Sequence, residues 1–285
     1  MTAALGQVLR AAGERLARAG IDSPALDARL LLAEATGMAP PALALHAADP
    51  LDPLAADRFA AMVERRERRE PVAYILGRRG FWSLDLRVTP ATLDPRPDSE
   101  TVIEAVLAAL PTLGSPLRLL DFGTGSGCLL LALLAELPEA RGLGIDRSPA
   151  ALAVARANAT ACGLAGRAAF HLGDWGEGLD GAFDVIVANP PYIPSGEIDR
   201  LEPEVAHFEP RGALDGGADG LDCYRRLAPD CARLLAPGAL AAFEVGHDQA
   251  AAVTALCAAA GLTPLETRRD LGGLERCVLV RRPAG

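Results

Sequence analysis

The chain has 285 residues, of which 50% are hydrophobic, so it has room for one large domain and one small one, each with its own core. Its formal net charge of −9 argues against the broad basic surface that sequence-tolerant nucleic-acid binding requires, and it favours a protein partner. No apolar run approaches the roughly 20 residues of a membrane-spanning helix, and the N-terminus lacks a basic stretch followed by an apolar one, so a soluble, cytoplasmic protein without membrane contact is expected.

Helical periodicity broken by proline and glycine organises the N-terminal part of the chain. The pattern predicts a helix Thr2–Ala19, a helix from Pro24 to Gly37, a short element after Pro40-Pro41, and a helix that begins at Asp52-Pro53 and ends before Pro71. Residues 1–71 are therefore predicted to form a small helical bundle, which serves either as a scaffold or as a docking module. The mixed-charge run Glu64–Glu70 has helical spacing and is interpreted as a solvated helix face.

Two short extended segments follow the bundle. Trp82–Val88 alternates apolar and polar residues, the period-two pattern of a half-buried strand. Paired with Val72–Leu76 across Gly77–Gly80, it predicts a β-hairpin linker over residues 72–95. A helix from Asp98 to Leu110 then opens the larger domain, residues 96–285.

Strand-like and helix-like patterns alternate through this domain as far as Ala239–Val245. Such alternation is typical of an α/β fold with a doubly wound, mostly parallel sheet. The segments Leu262–Thr267 and Arg276–Val280 flank Gly272-Gly273 and predict a terminal hairpin.

A glycine-rich loop follows the predicted strand Leu117–Leu120 and precedes a predicted helix Cys128–Leu137. Glycines at alternate positions allow a tight turn and let a ligand approach bare backbone, while the helix N-terminus offers unpaired N–H groups. The next predicted strand, Arg141–Ile145, ends in Asp146, which is placed to accept hydrogen bonds from ribose hydroxyls. A nucleotide-containing cofactor is therefore predicted, although the glycine spacing differs from the dinucleotide fingerprint. The loop residues expected to contact it are Gly123, Thr124, Gly125, Ser126 and Gly127.

Asn189-Pro190-Pro191-Tyr192 stands at the end of the apolar run Phe183–Ala188, which is predicted to be a buried strand. Ligands of open α/β sheets bind beyond the carboxyl ends of strands. An asparagine side-chain oxygen beside a proline carbonyl forms a pair of acceptors that matches the two N–H bonds of a planar NH2 group. The tetrapeptide therefore predicts a substrate amine or amide, unless it only ends a strand and starts a loop.

The cysteines and histidines give no sign of a metal site. The six cysteines include no Cys-x-x-Cys pair, and the four histidines are scattered along the chain. Free thiols and no bound metal are expected.

The glycine loop, preceded by Asp121 and followed by Asp146, resembles the cofactor loop of S-adenosyl-L-methionine-dependent methyltransferases. An acidic residue suits a cofactor that carries a sulfonium and an ammonium group but no phosphate. Over nearly its whole length the chain resembles, more specifically, the peptide chain release factor glutamine methyltransferases of the HemK or PrmC type. The segments that carry this resemblance are Glu70–Gly77, Phe81–Leu84, Pro95–Glu100, the glycine loop, Asn189–Tyr192, Phe208–Pro210 and Ala213-Leu214.

The resemblance implies a seven-stranded methyltransferase sheet and transfer of a methyl group to the side-chain amide nitrogen, N5, of the glutamine in the Gly-Gly-Gln motif of class 1 release factors. It assigns Asn189 as the catalytic residue and Asn189, Pro190, Pro191 and Tyr192 as the substrate site. It adds Trp175, near the adenine, and Asn189 to the cofactor contacts given above. It also implies that the N-terminal bundle holds the release factor, with the enzyme acting as a monomer and without nucleic acid.

Two other function classes stay open at this point. Asn-Pro-Pro-Tyr also occurs in methyltransferases that act on exocyclic amino groups of nucleic-acid bases, and a non-catalytic binding module could keep the fold. The segment Pro95–Glu100 favours the protein substrate. Within it, Arg96, Asp98 and Glu100 either close over the cofactor or cap the helix that starts there.

Overall fold

The computed structural model of the protein describes residues 3–110 and 114–284. The chain divides into two compact units. The first, here the helical unit, contains the residues up to Gly77 together with Glu202–Phe208, and the second, here the sheet unit, contains Arg78–Leu201 and the residues from Glu209 onward. The helical unit therefore extends beyond the predicted boundary at residue 71 and includes a segment from much later in the chain.

The secondary structure alternates as the sequence predicts, with short 3₁₀ turns at Pro97–Ser99, Ile198–Arg200 and Arg211–Ala213. The described helices are α1 (Leu5–Arg18), α2 (Pro24–Thr36), α3 (Ala42–Leu45), α4 (Pro53–Glu67), α5 (Val72–Leu76), α6 (Glu100–Ala109), α7 (Cys128–Glu136), α8 (Pro149–Ala161), α9 (Pro203–Phe208), α10 (Asp222–Leu234) and α11 (Ala250–Ala259). The strands are β1 (Arg78–Phe81), β2 (Leu84–Arg87), β3 (Arg118–Phe122), β4 (Arg141–Asp146), β5 (Ala168–Leu172), β6 (Phe183–Ala188), β7 (Leu235–Glu244), β8 (Thr263–Arg269) and β9 (Glu275–Arg281).

The helical unit forms because its helices carry apolar residues on the sides that face one another. Leu16 of α1, Leu31 and Leu32 of α2 and Phe59 of α4 are almost completely buried in one cluster. The predicted breaks set the helix ends: Pro24 opens α2, left-handed Gly37 closes it, and the Asp52 carboxylate caps α4 by accepting from the Leu54 and Ala55 N–H groups. The first helix begins at Leu5, and its predicted start at Thr2 lies outside the described residues.

The predicted pairing of Val72–Leu76 with Trp82–Val88 was wrong. Val72–Leu76 is the short helix α5, which begins after Pro71 and ends at left-handed Gly77. Three successive residues of α5, Ala73 to Ile75, are buried, whereas a half-buried strand would bury alternate residues. A short apolar run does not distinguish a strand from a buried helical turn, which explains the error. The hairpin does exist, but β1 supplies its first strand and pairs with β2 from Arg78↔Arg87 to Phe81↔Leu84.

The mixed-charge run at the end of α4 is not simply a solvated face. The Arg66 side chain is buried, with Nε 2.7 Å from Asp27 Oδ2 and Nη2 2.9 Å from Glu204 Oε1. The Nη2 atom of Arg69 lies 2.6 Å from the second oxygen of Glu204. The interpretation of the run as a solvated face was therefore wrong for Arg66, because its partners are supplied from distant parts of the sequence.

The sheet unit is built on one seven-stranded sheet of order β5-β4-β3-β6-β7-β9-β8. The neighbours from β5 to β7 are parallel, while β9 is antiparallel to both β7 and β8. The predicted α/β fold class, the doubly wound sheet and the terminal hairpin are confirmed. Successive residues of β3, Leu119 and Leu120, enter separate buried clusters on the two faces of the sheet. Over residues 3–110 and 114–284, no helix is long and apolar enough to cross a membrane.

The strand order reverses between β3 and β6. After β3 the chain builds β4 and β5 to one side, and it then returns to place β6 and β7 on the other side. The connections on the two sides separate at this point and leave a crevice at the carboxyl ends of β3 and β6, which is the usual ligand position in open α/β sheets.

The buried ion pair of the helical unit gives a stability prediction. Asp27→Ala removes one of the two carboxylates that Arg66 contacts in a site where the guanidinium has little access to water. We expect the free energy of unfolding to fall by about 3 kcal/mol, as when other buried ion pairs lose one partner. Urea denaturation followed by circular dichroism would measure this.

Glu64→Ala is the matched control, because Glu64 pairs with Arg68 while both side chains are more than 60% exposed. That variant should lose less than about 1 kcal/mol. Equal losses in the two variants would contradict the importance of the buried pair.

Candidate active site

A cavity of about 290 Å³ opens at the carboxyl ends of β3, β4 and β6, close to the lower end of the size range of small-molecule sites. It combines the glycine loop, the segment before α6, the end of β4 and the residues after β6. Its wall includes Arg96, Ser99, Asp121, Gly123, Thr124, Gly125, Ser126, Cys128, Asp146, Asp174, Trp175, Asn189, Pro191, Cys223 and Arg226.

The glycine loop turns sharply between β3 and α7. Gly123, Gly125 and Gly127 all have positive φ, and of these Gly127, at +84°, is the residue that caps α7. A side chain at Gly127 would also bring its Cβ within 3.1 Å of Leu131. Gly123, Thr124, Gly125 and Ser126 line the cavity, whereas Gly127 is buried behind them. The strand before the loop is longer than predicted and includes Asp121 and Phe122.

The buried side chain of Asn158 holds this loop against the hairpin. Its amide donates to the carbonyl of Ser126 at 2.8 Å and to that of Arg87 at 3.0 Å, and its oxygen accepts from the Arg87 N–H at 2.8 Å. The polar groups of a buried asparagine are thus satisfied by two backbone segments. These hydrogen bonds tie the end of the glycine loop, at Ser126, to the hairpin.

Two carboxylates stand beside the loop without a basic partner among the described residues. Asp146 accepts from the N–H groups of Gly125 at 2.9 Å and Ser148 at 2.8 Å. Asp121 is 1% exposed and accepts from the Thr124 hydroxyl at 2.6 Å. Burial raises the pKa of Asp121 to about 7, and the nearby Asp146 adds to this effect, against the hydrogen bond from Thr124.

These two acids test whether the site fits the cofactor that the sequence implies. Carboxylates without a basic partner repel phosphate, but they suit a ligand that carries ammonium, sulfonium or hydroxyl groups. The spare lone pairs of Asp146 are available for ribose hydroxyls. The residues present therefore fit S-adenosyl-L-methionine.

Trp175 gives the cavity a flat apolar wall. Its ring packs edge-on against Phe122, with 6.3 Å between ring centroids, and its atoms lie within van der Waals reach of a Cβ placed at Gly123. The backbone of Trp175 has φ +52°, a left-handed conformation that costs a residue with a side chain roughly 1–2 kcal/mol. Strain of this kind tends to occur at functional sites. The neighbouring Asp174 binds Arg226 at 2.7 Å.

Asn189-Pro190-Pro191-Tyr192 follows β6, as predicted. Asn189 and Pro191 reach the cavity wall, whereas Pro190 is buried and Tyr192 lies outside the lining. The amide nitrogen of Asn189 donates to the Ser99 hydroxyl at 3.3 Å. In the described chain, neither the side-chain oxygen of Asn189 nor the carbonyl of Pro190 accepts a hydrogen bond. Neither of the two acceptors that the sequence predicts for an NH2 group is therefore used within the described chain, and of their two residues Asn189 lines the cavity.

Two cysteines on the cavity wall are poor nucleophiles. Burial raises the pKa of Cys128 to about 12 and that of Cys223 to about 11. Both thiols therefore stay protonated near neutral pH. Within the described residues, no group of three or more histidine, cysteine or acidic side chains is arranged to hold a metal ion.

The segment before α6 has mixed roles. Arg96 lines the cavity, and its Nη2 lies 2.6 Å from Oε1 of buried Glu209. Burial raises the pKa of Glu209 to about 7. Glu100 accepts from the Trp82 N–H at 2.7 Å, and Asp98 makes no cap contact. Helix capping by Asp98, one of the two predicted alternatives, is therefore excluded.

Sequence reasoning missed three polar residues of this region: Ser99, Glu209 and Glu244. Ser99 and Glu209 lie in Pro95–Glu100 and Phe208–Pro210, two segments that indicated the family but no role for these side chains. Glu244 has a signal that could have been used, because it is the acid at the end of the otherwise apolar run Ala239–Phe243. Since β7 is parallel to β6, with Phe243 opposite Ala188, Glu244 must end close to Asn189.

Comparison with family models finds two matches in this chain. Residues 7–77 match the PrmC N-terminal domain, and residues 113–243 match a methyltransferase domain. The first match ends at Gly77, where the helical unit passes into the sheet unit.

Curated relatives match nearly the whole chain. A release factor glutamine methyltransferase of Rhodospirillum rubrum is 53% identical over 98% of this chain and 86% of its own length. A protein of the same name from Caulobacter vibrioides is 50% identical over 99% of this chain and 98% of its own. Among solved structures, a ribosomal protein L11 methylase from Lactobacillus delbrueckii subsp. bulgaricus covers 70% of this chain and 85% of its own, with a TM-score of 0.52 at 20% identity, which supports the fold.

The conformation of Gly127 gives a second stability prediction. Gly127→Ala places a side chain in the left-handed region and against Leu131. We expect the free energy of unfolding to fall by about 2 kcal/mol, mainly from the cost of that conformation. Gly166→Ala is the control, since its Cβ would meet no atom within 4 Å and its φ is not in the left-handed range. Urea denaturation of both variants checks this, and an unaffected Gly127→Ala would contradict it.

Proposed function

Because the chain belongs to the release factor glutamine methyltransferase family, we propose that it methylates N5 of the glutamine in the Gly-Gly-Gln motif of class 1 peptide chain release factors, with S-adenosyl-L-methionine as methyl donor. The observation that carries this proposal is Asn189, whose side-chain oxygen accepts no hydrogen bond within the described chain and which lines the same cavity as the glycine loop; the adjacent Pro190 carbonyl, also without a donor there, is proposed as the second acceptor. A primary amide presents the two N–H donors that this pair matches.

The residues at the end of β6 address the weakness of an amide as a nucleophile. Its nitrogen lone pair is delocalised into the carbonyl, so the group reacts only when it is held in a productive orientation. With one N–H bonded to Asn189 and the other to Pro190, the nitrogen is held with its lone-pair face toward the methyl donor. Positioning of this type supplies up to roughly 7–11 kcal/mol of barrier lowering, so no strong general base is needed.

The cofactor would be held by the residues around the glycine loop. Backbone contacts would come from the loop residues Gly123, Thr124, Gly125 and Ser126. Asp146 would accept hydrogen bonds from the ribose hydroxyls, and Trp175 would form the wall beside the adenine. The chemistry that the cofactor supplies is an electrophilic methyl group on a sulfonium. With the cofactor bound, the nitrogen held by Asn189 and Pro190 would bond to the methyl carbon as the carbon–sulfur bond breaks, and the amide proton would leave to solvent from the alkylated, more acidic nitrogen. Tyr192 and Pro191 stiffen the loop that carries the acceptors.

The helical unit is proposed to bind the release factor, since methyl transfer itself uses only residues of the sheet unit. The predicted division into residues 1–71, 72–95 and 96–285 becomes, on this proposal, a docking domain, a linker and a catalytic domain. Release factors act on ribosomes, so the proposed site of action is the cytoplasm. The enzyme is proposed to act as a monomer and without direct nucleic-acid contact, in line with the net charge of −9.

Methyl-labelled cofactor tests the proposal directly. The protein is incubated with a purified class 1 release factor, with RNA and with DNA, and the products are analysed by mass spectrometry. Label is expected on the glutamine of the Gly-Gly-Gln motif and is expected to vanish in a release factor with that glutamine changed to alanine. Asn189→Ala should lower turnover at least about 100-fold, as when one transition-state hydrogen bond is lost.

Label on a nucleic-acid base would instead indicate a methyltransferase that acts on the exocyclic amino groups of nucleic-acid bases. No label on any substrate would support a binding module. Unchanged turnover in Asn189→Ala would contradict the role of Asn189.

Asp146→Ala should affect binding of the cofactor more than turnover. Hydrogen bonds to a charged group contribute roughly 1.5–3 kcal/mol, so the dissociation constant of S-adenosyl-L-homocysteine should rise about 10- to 100-fold in isothermal titration calorimetry. Asp219→Ala is the control, because that exposed carboxylate binds Arg225 outside the cavity. An unchanged dissociation constant in Asp146→Ala would remove this residue from the cofactor site.

A further inference from the structure

The backbone that follows Asn189 is held by a buried side chain from the connection after the neighbouring strand. Gln249 lies between β7 and α11, and it comes close to the tetrapeptide because β7 runs parallel to β6. Its amide nitrogen donates to the carbonyl of Tyr192 at 2.9 Å and to that of Gly220 at 3.3 Å. Its oxygen accepts from the Gly246 N–H at 3.1 Å. Both polar atoms of this buried amide are thus paired with backbone groups.

The partners of Gln249 determine which way its amide faces. A backbone carbonyl can only accept a hydrogen bond, and a backbone N–H can only donate one. The nitrogen end must therefore face Tyr192 and Gly220, and the oxygen end must face Gly246. Turning the amide over would oppose acceptor with acceptor and donor with donor. The Tyr192 carbonyl is consequently held by a side chain that has one favourable orientation.

The segment Leu214–Gly220 packs against the same backbone. The N–H of Ile193 donates to the first carbonyl of this segment at 3.0 Å, and the N–H of Gly216 donates to the Ile193 carbonyl at 2.9 Å. A Cβ placed on Gly216 would lie 2.8 Å from the Pro191 carbonyl oxygen and 2.8 Å from the Tyr192 Cα. Contacts this short with backbone atoms cannot form without a shift of the backbone, so the close approach requires glycine.

These contacts hold the tetrapeptide from both ends. Its first residue follows β6, which lies in the sheet between β3 and β7. Its last residue, Tyr192, is held by the hydrogen bond from Gln249 and by the close packing of Gly216. Between the two ends, the proline rings fix two φ angles. Few backbone rotations remain, so the places of the Asn189 side chain and the Pro190 carbonyl depend on both ends.

We propose that Gln249 and Gly216 are positioning residues of the methyl transfer, which hold the backbone at Pro191 and Tyr192 and thereby place the two acceptors just before it. Neither residue lines the cavity, so neither touches the substrate amide. The inference rests on the proposed function and adds to it two residues from later parts of the chain. A functional site of this kind is weakened by a shift of about 0.5 Å in its contacting groups.

The first test replaces Gln249 by methionine, which keeps the approximate size of the side chain but has no amide. Gln249→Met leaves the Tyr192 carbonyl without its donor, so kcat with a class 1 release factor should fall at least about 10-fold. The dissociation constant of S-adenosyl-L-homocysteine should stay within about two-fold of the wild type, because the hydrogen bonds of Gln249 do not reach the glycine loop.

Cys257→Ala is the control for Gln249→Met. It also removes part of a buried side chain, two turns further along α11, but it removes no hydrogen bond to the tetrapeptide. Its kcat should stay within about two-fold of the wild type when all variants are assayed below their melting temperatures.

The second test, Gly216→Ala, disturbs the same backbone while every hydrogen bond of Gln249 can still form. The φ of Gly216 is not in the left-handed range, so the added methyl group acts through its contacts and not through strain at its own position. We expect kcat to fall at least about 10-fold, again with little change in binding of S-adenosyl-L-homocysteine. Gly196→Ala is the control, since its Cβ would meet no atom within 4 Å, and its kcat should stay within about two-fold of the wild type.

The outcomes separate this inference from the proposed function. If the wild-type protein does not methylate the release factor, the proposed function fails and the positioning role fails with it. If it does, a wild-type kcat in Gln249→Met or in Gly216→Ala overturns the positioning role while the activity stands. An equal loss of kcat in Cys257→Ala, or a matching rise in the dissociation constant of S-adenosyl-L-homocysteine, overturns it too, because a general loss of structure would then explain the result.

Discussion

The reversal of strand order between β3 and β6 is the constraint on which the rest of this structure depends. It leaves the carboxyl ends of two adjacent strands uncovered, one followed by the glycine loop and the other by Asn189-Pro190-Pro191-Tyr192. The proposed site for the methyl donor and the proposed site for an amide thus meet at one edge, although about 60 residues separate them in the chain. Each loop can then be fixed by the elements beneath it, Gly123–Ser126 through Asn158 and Asn189 through Ser99.

Buried carboxyl groups surround this edge. Asp121, Glu209 and Glu244 are each less than 10% exposed, and burial raises the pKa of each to about 7. Such groups reduce stability, because removing a carboxylate from water is unfavourable unless it is fully paired. Their positions match needs of the proposed reaction: Asp121 lies beside the glycine loop, Glu209 holds Arg96, and Glu244 lies behind the substrate acceptors. Acids in these places keep the neighbouring donors oriented at the expense of stability.

Much of this could be predicted from the sequence because the signals are local. A few adjacent residues are enough to indicate each strand or helix, the turn at Gly123–Gly127 and the end of β6 at Asn189. What could not be predicted depends on contacts between distant segments. Arg66 looked like a surface residue because its partners Asp27 and Glu204 lie far away in the sequence. The run Val72–Leu76 looked like a strand because a short apolar segment fits either structure until its neighbours are known. Glu244 went unnoticed because its place beside Asn189 follows from the pairing of β7 with β6.

The return of Glu202–Phe208 to the helical unit affects how the two units could have evolved. Most appended domains are joined by one linker, so they can be gained, lost or exchanged by a single event in the gene. Here the polypeptide passes between the units at three places, after Gly77, after Leu201 and after Phe208. Removing the N-terminal residues alone would leave Glu204 without the two arginines that it pairs with. The two segments of the helical unit are therefore separated along the chain by part of the sheet unit, so a single cut in the gene does not separate the units.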